Sequence, residues 1–394
     1  MVRLPIYLDN NATTPCDPRV VEEMLPYFTE LFGNAASTGH SFGRTARVAV
    51  ERSRASIARC LNAAAPGEIV FTSGATESDN LAIKGVAERC RERGKHIITC
   101  VCEHKAVLDS CKHLENQGFE VTYLGVGQDG LVDLDVLGRS ITDSTILVTI
   151  MAGNNESGVV QDIAAIGALC RERGVCFHTD ATQYIGKLPF DVRAMNVDLA
   201  SLSAHKIYGP KGVGALYVRR DSSVCLTAQM DGGGHESGHR SGTLNVTGIV
   251  GLAAALRICA EELETEIEQI RFLRERLKAG LQRRLEGVRL NGHPDHRLPG
   301  HLSLSFEGVI GEDLLAAMPE IAVSSISACS SGSATPSHVL TSLGLTNDEA
   351  FSTVRFGIGR FNTEAEIDYT INRVAEVVTE LRARKPTFSL STHG

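Results

Sequence analysis

The chain has 394 residues, 43% of them hydrophobic and 22% charged, with 38 Gly, 12 Pro and no Trp; this describes a globular protein long enough for two or three domains. Lys and Arg number 39 against 47 Asp and Glu, a formal net charge of −8, and with no basic block to neutralise a run of phosphates a direct nucleic-acid partner is not expected. The longest apolar stretches, such as Ile249 to Leu256, fall far short of the roughly 20 residues that cross a bilayer, so no membrane partner is expected either.

In chain order, the N-terminal segment through Asp9-Asn-Asn11 turns polar too soon for a secretory signal. The 11 cysteines (Cys16, Cys60, Cys90, Cys100, Cys102, Cys111, Cys170, Cys176, Cys225, Cys259 and Cys329) are an odd number without a small-scaffold spacing, which points to a reducing, cytoplasmic setting. Cys60, Cys90, Cys170 and Cys259 sit among apolar or helical neighbours and are expected to behave as small buried hydrophobes.

Strands are predicted at Ile69 to Ser73, Ile97 to Cys102, Val121 to Leu124, Thr145 to Ile150, Val175 to Thr179 and Leu199 to Ser203. They alternate with helices over Thr76 to Arg93, Lys105 to Gln117, Asp133 to Ser140 and Asp162 to Arg173, which carry apolar residues three and four apart and in several cases close on Gly. Such alternation predicts a mostly parallel sheet covered by helices, with a ligand crevice outside the carboxyl ends of its strands. From Leu244 to Leu285 a long helical connector leads to a smaller α+β unit, with strands at Val288 to Leu290, His301 to Phe306, Ile321 to Ser325 and Val354 to Ile358 and helices near Glu312 to Met318, Ser337 to Leu343 and Thr363 to Arg384. The domain division expected is 15–260 for a large unit and 1–14 with 261–394 for a small one.

Four strand ends carry candidate chemistry. Phe71-Thr-Ser-Gly-Ala-Thr-Glu-Ser78 puts a small-residue turn at a helix N-terminus, a place for phosphate, although a plain capped turn has the same pattern and no P-loop Lys follows. Glu103-His104 ends the next strand; a metal cluster of Cys100, Cys102 and His104 is the rival reading, but strand alternation spaces those side chains about 7 Å apart and no fourth ligand is evident. Asp180, in His178-Thr-Asp-Ala-Thr-Gln183, and Lys206, in Ser203-Ala-His-Lys206, project into the same crevice. A strand-end lysine beside a strand-end acid suits an amine that bonds covalently to pyridoxal phosphate and a carboxylate that pairs with its pyridinium nitrogen; taken singly, Asp180 reads equally as a helix cap and Lys206 as a salt-bridge partner.

With these residues in place the chain resembles the cysteine desulfurases of the NifS/IscS type, class-V-aminotransferase-like enzymes of fold type I. The likeness spans nearly the whole chain: Tyr7-Leu-Asp-Asn-Asn-Ala-Thr-Thr-Pro15, Gly33-Asn34, Ser73-Gly-Ala-Thr-Glu-Ser78, Glu103-His104, Asn154-Asn-Glu156, His178 to Gln183, Ser203 to Lys206, Gly232-Gly-Gly-His235, Arg240-Ser-Gly-Thr243 and Val354-Arg-Phe356 stand in the family's order.

The resemblance implies a large domain with a mostly parallel seven-stranded sheet, a smaller α+β domain, and pyridoxal 5′-phosphate as cofactor. Lys206 would hold the cofactor covalently, Asp180 its pyridine nitrogen, Gln183 its phenolic oxygen, and His104 would stack on the ring and assist proton transfer. Ala75, Thr76, Ser203 and His205 would hold the phosphate, with Thr243 reaching it from the second subunit of a homodimer. Asn155, which also belongs to the cofactor set, and Arg355 would bind the substrate, Arg355 by a two-pronged grip on the α-carboxylate. Cys329, in the polar Ser324-Ser-Ile-Ser-Ala-Cys-Ser-Ser-Gly-Ser-Ala-Thr-Pro336 segment, reads from composition as an exposed thiol in a Ser-rich loop; the resemblance makes it the nucleophile that takes sulfur from L-cysteine as a persulfide and releases L-alanine. An iron–sulfur scaffold or another sulfur acceptor is the implied partner, and no resident metal is expected. Ile326 stands where the family usually has Gly, so a loop that needs the left-handed region there must take another path. Two alternatives share the same cofactor site: a selenocysteine lyase or related aminotransferase, which needs no Cys329 nucleophile, and a sulfur donor activated by a partner.

Overall fold

The computed structural model describes residues 2–220, 224–325 and 335–384. A two-residue strand β1 (Ile6–Tyr7) and helices α1 (Pro18–Met24), α2 (Pro26–Thr29) and α3 (Ser41–Cys60) come first. Strands and helices then alternate: β2 (Ile69–Thr72), α4 (Ala75–Arg89), β3 (His96–Cys100), α5 (Lys105–Glu115), β4 (Glu120–Leu124), α6 (Leu134–Ser140), β5 (Thr145–Thr149), α7 (Ile163–Glu172), β6 (Cys176–Asp180), β7 (Leu199–Ser203) and β8 (Gly214–Val218). The 39-residue α8 (Val246–Arg284) leads to β9 (Val288–Leu290), β10 (His301–Phe306), α9 (Gly311–Ala317), β11 (Ile321–Ala322), β12 (Ser324–Ser325), α10 (His338–Ser342), α11 (Asn347–Phe351), β13 (Thr353–Gly357) and α12 (Glu364–Arg384).

Seven strands form one sheet in the order β2-β8-β7-β6-β5-β3-β4. β4, β3, β5, β6 and β7 pair in parallel, while β8 runs antiparallel between β7 and β2. β2 therefore points the same way as β7, and the carboxyl ends of β2, β3, β5, β6 and β7 share one edge. β2, β3, β5, β7 and β8 are buried along their whole length, as a sheet covered on both faces requires. The second sheet, β12-β13-β10-β9, is antiparallel.

Helix α8 joins two apolar cores. Its N-terminal half, through Cys259, packs with α3 and the large sheet; Ile270, Leu273, Leu277 and Leu281 pack instead with β10, β13, α12 and the N-terminal Ile6 and Leu8. The Leu244 to Leu285 prediction thus describes one helix.

Four predictions change. β8 has no counterpart among the predicted strands, because its Gly-Ala-Leu-Tyr-Val run is short, unalternating and preceded by a Gly-rich stretch. The predicted Ile97 to Cys102 strand stops at Cys100, and the turn that follows brings the Cys100 and Cys102 sulfurs to 3.1 Å rather than holding them strand-spaced. Ile321 to Ser325 is two strands, β11 pairing with β1 and β12 with β13. Cys60 and Cys90 are half-buried, whereas Cys170 and Cys259 are fully buried. No helix among the described residues is long and apolar enough to cross a membrane, and the ten described cysteines are all free thiols.

Candidate active site

The shared strand edge opens into a cavity of about 560 Å³ lined by Ala12, Thr13, Ser73 to Glu77, His104, Met151, Asn155, Asp180, Gln183, Ser203, His205 and Lys206. Its floor is set by a close backbone approach. A Cβ on Gly214 would lie 2.5 Å from the Leu202 carbonyl oxygen and 2.7 Å from the Gly74 Cα, so β8 can sit against the turn after β2 only as Gly. Gly74 itself has φ 155°, a conformation glycine tolerates, and from it α4 starts with Ala75 and Thr76 in its first turn. Free N–H groups and the positive end of the helix there face the cavity. Glu77 turns back to accept from Ser73 N at 2.7 Å and pairs with Arg240 at 2.8 Å.

Lys206 follows β7, its Nζ donating to the carbonyls of Asn11 (2.7 Å) and Ala12 (2.6 Å). Burial, aided by the Arg355 charge, brings its ammonium down to about 8, so about a tenth of it is the free amine at pH 7, far more than for an ordinary lysine. Asp180 ends β6, 6% exposed, with one oxygen capping Thr182 N at 2.9 Å. His104 caps α5, and Nδ1 accepts from Ala106 N at 3.1 Å, which leaves the proton of the neutral ring on Nε2. His205 bonds the Thr13 hydroxyl at 3.1 Å and is held neutral, down to about 4, by burial and the neighbouring lysine.

Around this floor lie groups whose charged forms burial disfavours. His178 is sandwiched between the hydroxyls of Thr149 (2.8 Å) and Ser201 (3.0 Å), and burial pushes it down to about 3. The Asp79 carboxyl, 3.7 Å from His178, is pushed well up by burial and then by the Asp180 charge. Glu103 accepts from Met151 N at 2.7 Å and is likewise pushed up by burial. Asp180 thus shares the cavity with Glu77, which Arg240 holds, and with Asp79, whose carboxyl burial pushes up.

Of the expected site residues, Ala75, Thr76, His104, Asn155, Asp180, Gln183, Ser203, His205 and Lys206 come together around the cavity. Thr243 does not line it. It lines a smaller cavity with Arg240 and Asn245 that shares Ser73 and Gly212 with the first. Arg355, on β13, stands apart from the lining: its guanidinium donates to Asp9 (2.8 Å), Ser324 (3.1 Å) and the Asn155 carbonyl (2.9 Å). Both Nη2 hydrogens are thereby engaged, so the side-on fork of Nε and Nη2 is closed by Asp9 and Ser324, and Nε itself is buried with no partner among the described residues; the two-pronged grip expected of Arg355 requires these contacts to be exchanged for the substrate carboxylate. Cys329 and Ile326 lie outside the described residues. Asn11, Asp9, Thr13 and Lys187 received no role from the sequence; the Tyr7 to Pro15 motif held the only signal for the first three.

The residues present fit pyridoxal 5′-phosphate. A glycine-cleared helix N-terminus suits a phosphate, an amine of lowered pKa suits a carbonyl carbon, a strand-end carboxylate suits a ring N–H, and the buried Thr182 hydroxyl on the cavity wall lacks a partner among the described residues. The model of the family described as Aminotransferase class-V matches residues 6–370. The chain belongs to the class-V aminotransferase family. Among members of that family, a cysteine desulfurase IscS of Anaeromyxobacter dehalogenans (strain 2CP-C) is 55% identical over 393 residues, covering 100% of this chain and 97% of the relative. The cysteine desulfurase IscS of Escherichia coli O139:H28 (strain E24377A / ETEC) is 55% identical over 395 residues with the same coverage. A solved NifS-like protein matches with a TM-score of 0.89 at 39% identity over 95% of this chain and 99% of its own. The solved SspA in complex with cysteine matches at 0.80 and 39% identity over 91% and 100%.

Proposed function

We propose that this class-V aminotransferase family member is a pyridoxal 5′-phosphate-dependent cysteine desulfurase: L-cysteine and the Cys329 thiol yield L-alanine and a Cys329 persulfide, whose outer sulfur passes to an acceptor. The observation that carries the reading is Lys206, an amine lowered to about 8 in the same cavity as Asp180 and the α4 N-terminus. The two IscS relatives at 55% identity favour cysteine as substrate.

The bound cofactor supplies a carbonyl carbon for amines and a ring that accepts the electrons of a broken bond. The first turn of α4, with Ser203 and His205, would hold its phosphate, and Asp180 would pair with the protonated ring nitrogen. Lys206 would hold the cofactor's carbonyl carbon and, as a free amine, would move the substrate's Cα proton. His104 presents Nε2–H to the cavity, and Arg355 would orient the substrate carboxylate by exchanging its Asp9 and Ser324 contacts for it. Thiols attack as thiolates, so Cys329 would react in that form.

The proposal extends to a homodimer in which Thr243 serves the neighbouring copy's phosphate, to a cytoplasmic setting that keeps the free thiols reduced, and to an iron–sulfur scaffold or similar sulfur acceptor. The two separate apolar cores support a division into 15–260 and 1–14 with 261–394. The test is L-alanine and sulfide formation from L-cysteine with a thiol reductant present. Wild type is expected to form both in equal amounts and Cys329→Ala neither; equal rates from the two proteins would exclude Cys329 as the sulfur carrier.

A further inference from the structure

Three residues after Gln183 the chain turns at Gly186, where φ is 75° and a Cβ would lie 2.7 Å from the Ile207 side chain. That turn returns Lys187 to the side chain four residues before it. Lys187 Nζ donates to Gln183 Oε1 at 2.8 Å, its one hydrogen bond among the described residues. It lines a small cavity of about 30 Å³ between α8 and the N-terminal segment, with Asn11, Tyr208 and Glu266. Burial holds the ammonium down to about 7; Lys206 and Arg355 act in the same direction, and Cys259 and Glu266, both on α8, oppose them.

The valence of the Gln183 amide decides what this lysine does. Oε1 receives both Asn11 Nδ2 (3.2 Å) and Lys187 Nζ (2.8 Å), while Nε2 donates to the Asn11 carbonyl at 2.8 Å. An amide oxygen has two lone pairs and an amide nitrogen two hydrogens. The oxygen is therefore saturated, and the one unused capacity of Gln183 is a donor, on a residue that lines the active-site cavity. In its ammonium form Lys187 has no acceptor, so that form tolerates only the oxygen end of the amide, and a cation on Oε1 strengthens the Nε2 hydrogens as donors.

We propose that Lys187 is a positioning residue for the cofactor: by saturating Gln183 Oε1 it keeps the Gln183 amide nitrogen as the group offered to the cofactor's ring oxygen. The inference rests on the reading of the cavity as a pyridoxal phosphate site. It differs from a structural role because it acts through one side chain. Lys187→Met leaves a free acceptor on Gln183 and removes the polarising cation, but matters little once Gln183 itself is gone.

The experiment titrates apoprotein with pyridoxal 5′-phosphate, following the visible absorption of the bound cofactor, for wild type, Lys187→Met, Gln183→Ala and the double variant. Expected for Lys187→Met is a cofactor dissociation constant raised about tenfold, the loss of a charge-assisted hydrogen bond. The pH midpoint of the bound cofactor's absorption should move upward by about half a unit, because a weaker donor stabilises the anionic oxygen less. In the Gln183→Ala background the same substitution should change both readouts by less than about twofold. Full additivity of the two substitutions, or an unchanged midpoint in Lys187→Met, would overturn the proposal. Apoprotein melting temperatures check folding, and Lys187→Gln, which keeps a donor without the charge, runs the same cycle if the Met variant does not fold. Failure of wild type itself to bind the cofactor would instead refute the underlying site reading.

Discussion

Gly214→Ala tests whether the phosphate cradle depends on the backbone contact between β8 and the turn after β2. The added methyl would fall 2.5 Å from Leu202 O, 2.7 Å from Gly74 Cα and 2.9 Å from Gly74 C. All three are backbone atoms, so no rotamer change relieves the overlap. Carbon contacts settle at about 3.5 Å or more, and the strand or the turn must therefore retreat by roughly 1 Å. Overpacking of this kind costs about 1–3 kcal/mol of stability. The larger effect falls on function, because the displaced turn carries the first N–H groups of α4. A misplacement of about 1 Å in a positioning element can cost on the order of a hundredfold. Apoprotein is titrated with pyridoxal 5′-phosphate and the melting temperature is recorded alongside. The expected result is a dissociation constant raised at least about tenfold with only a modest loss in melting temperature. Gly125→Ala, where a Cβ meets nothing within 4 Å, serves as the neutral control. Wild-type cofactor affinity in Gly214→Ala would refute the argument that this contact shapes the site.

Three further outcomes follow from the same structure. The rate at which apoprotein captures the cofactor covalently should rise through a midpoint near the Lys206 value of about 8, since only the unprotonated amine reacts; a flat profile between pH 7 and 9 would contradict a lowered amine. Glu236 pairs with Arg54 at 2.7 Å through both oxygens and also accepts from Phe71 N at 2.8 Å, with the Glu236 side chain only 1% and the Arg54 side chain 10% exposed. Glu236→Ala should cost about 3–5 kcal/mol in urea denaturation, and a loss under about 1 kcal/mol would show that the pair is not truly desolvated. His178 is neutral when folded, its value lowered to about 3, whereas an unfolded histidine binds its proton near 6.5. The unfolded state then holds more protons, so stability should fall as pH drops below about 6.5 and stop falling on this account near 3; a His178→Asn variant with the same acid slope would rule the histidine out as the source.

Strand-end chemistry was legible in the sequence because it is local. Small residues before a helical pattern, a lone Asp and a lone Lys at the ends of apolar runs each sit where a parallel sheet collects its carboxyl ends, and all of them line one cavity. What was not legible depends on contacts distant in sequence. β8 is identified by pairing with β2 and β7 and not by any alternation of its own, and Gly214 is explained only by Gly74, 140 positions earlier. Helix α3 was missed because its buried positions include Gly43, Ala46, Ala49, Ser53 and Ala58, too small or too polar to stand out as an apolar stripe. Asn11 works through its carbonyl, which takes Lys206 and Gln183 together, and a main-chain acceptor leaves no mark in residue type. The strand prediction through Cys102 failed at a turn whose residues, Val and Cys, carry no turn chemistry.

The most direct test of the central claim is to treat the cofactor-loaded protein with L-cysteine without reductant and map the product by mass spectrometry of its peptides. The account predicts one added sulfur atom on the peptide containing Cys329, an equal amount of L-alanine in solution, and neither in Lys206→Ala. L-alanine formed by wild type with no added sulfur at Cys329, or with the sulfur on another cysteine, would contradict it.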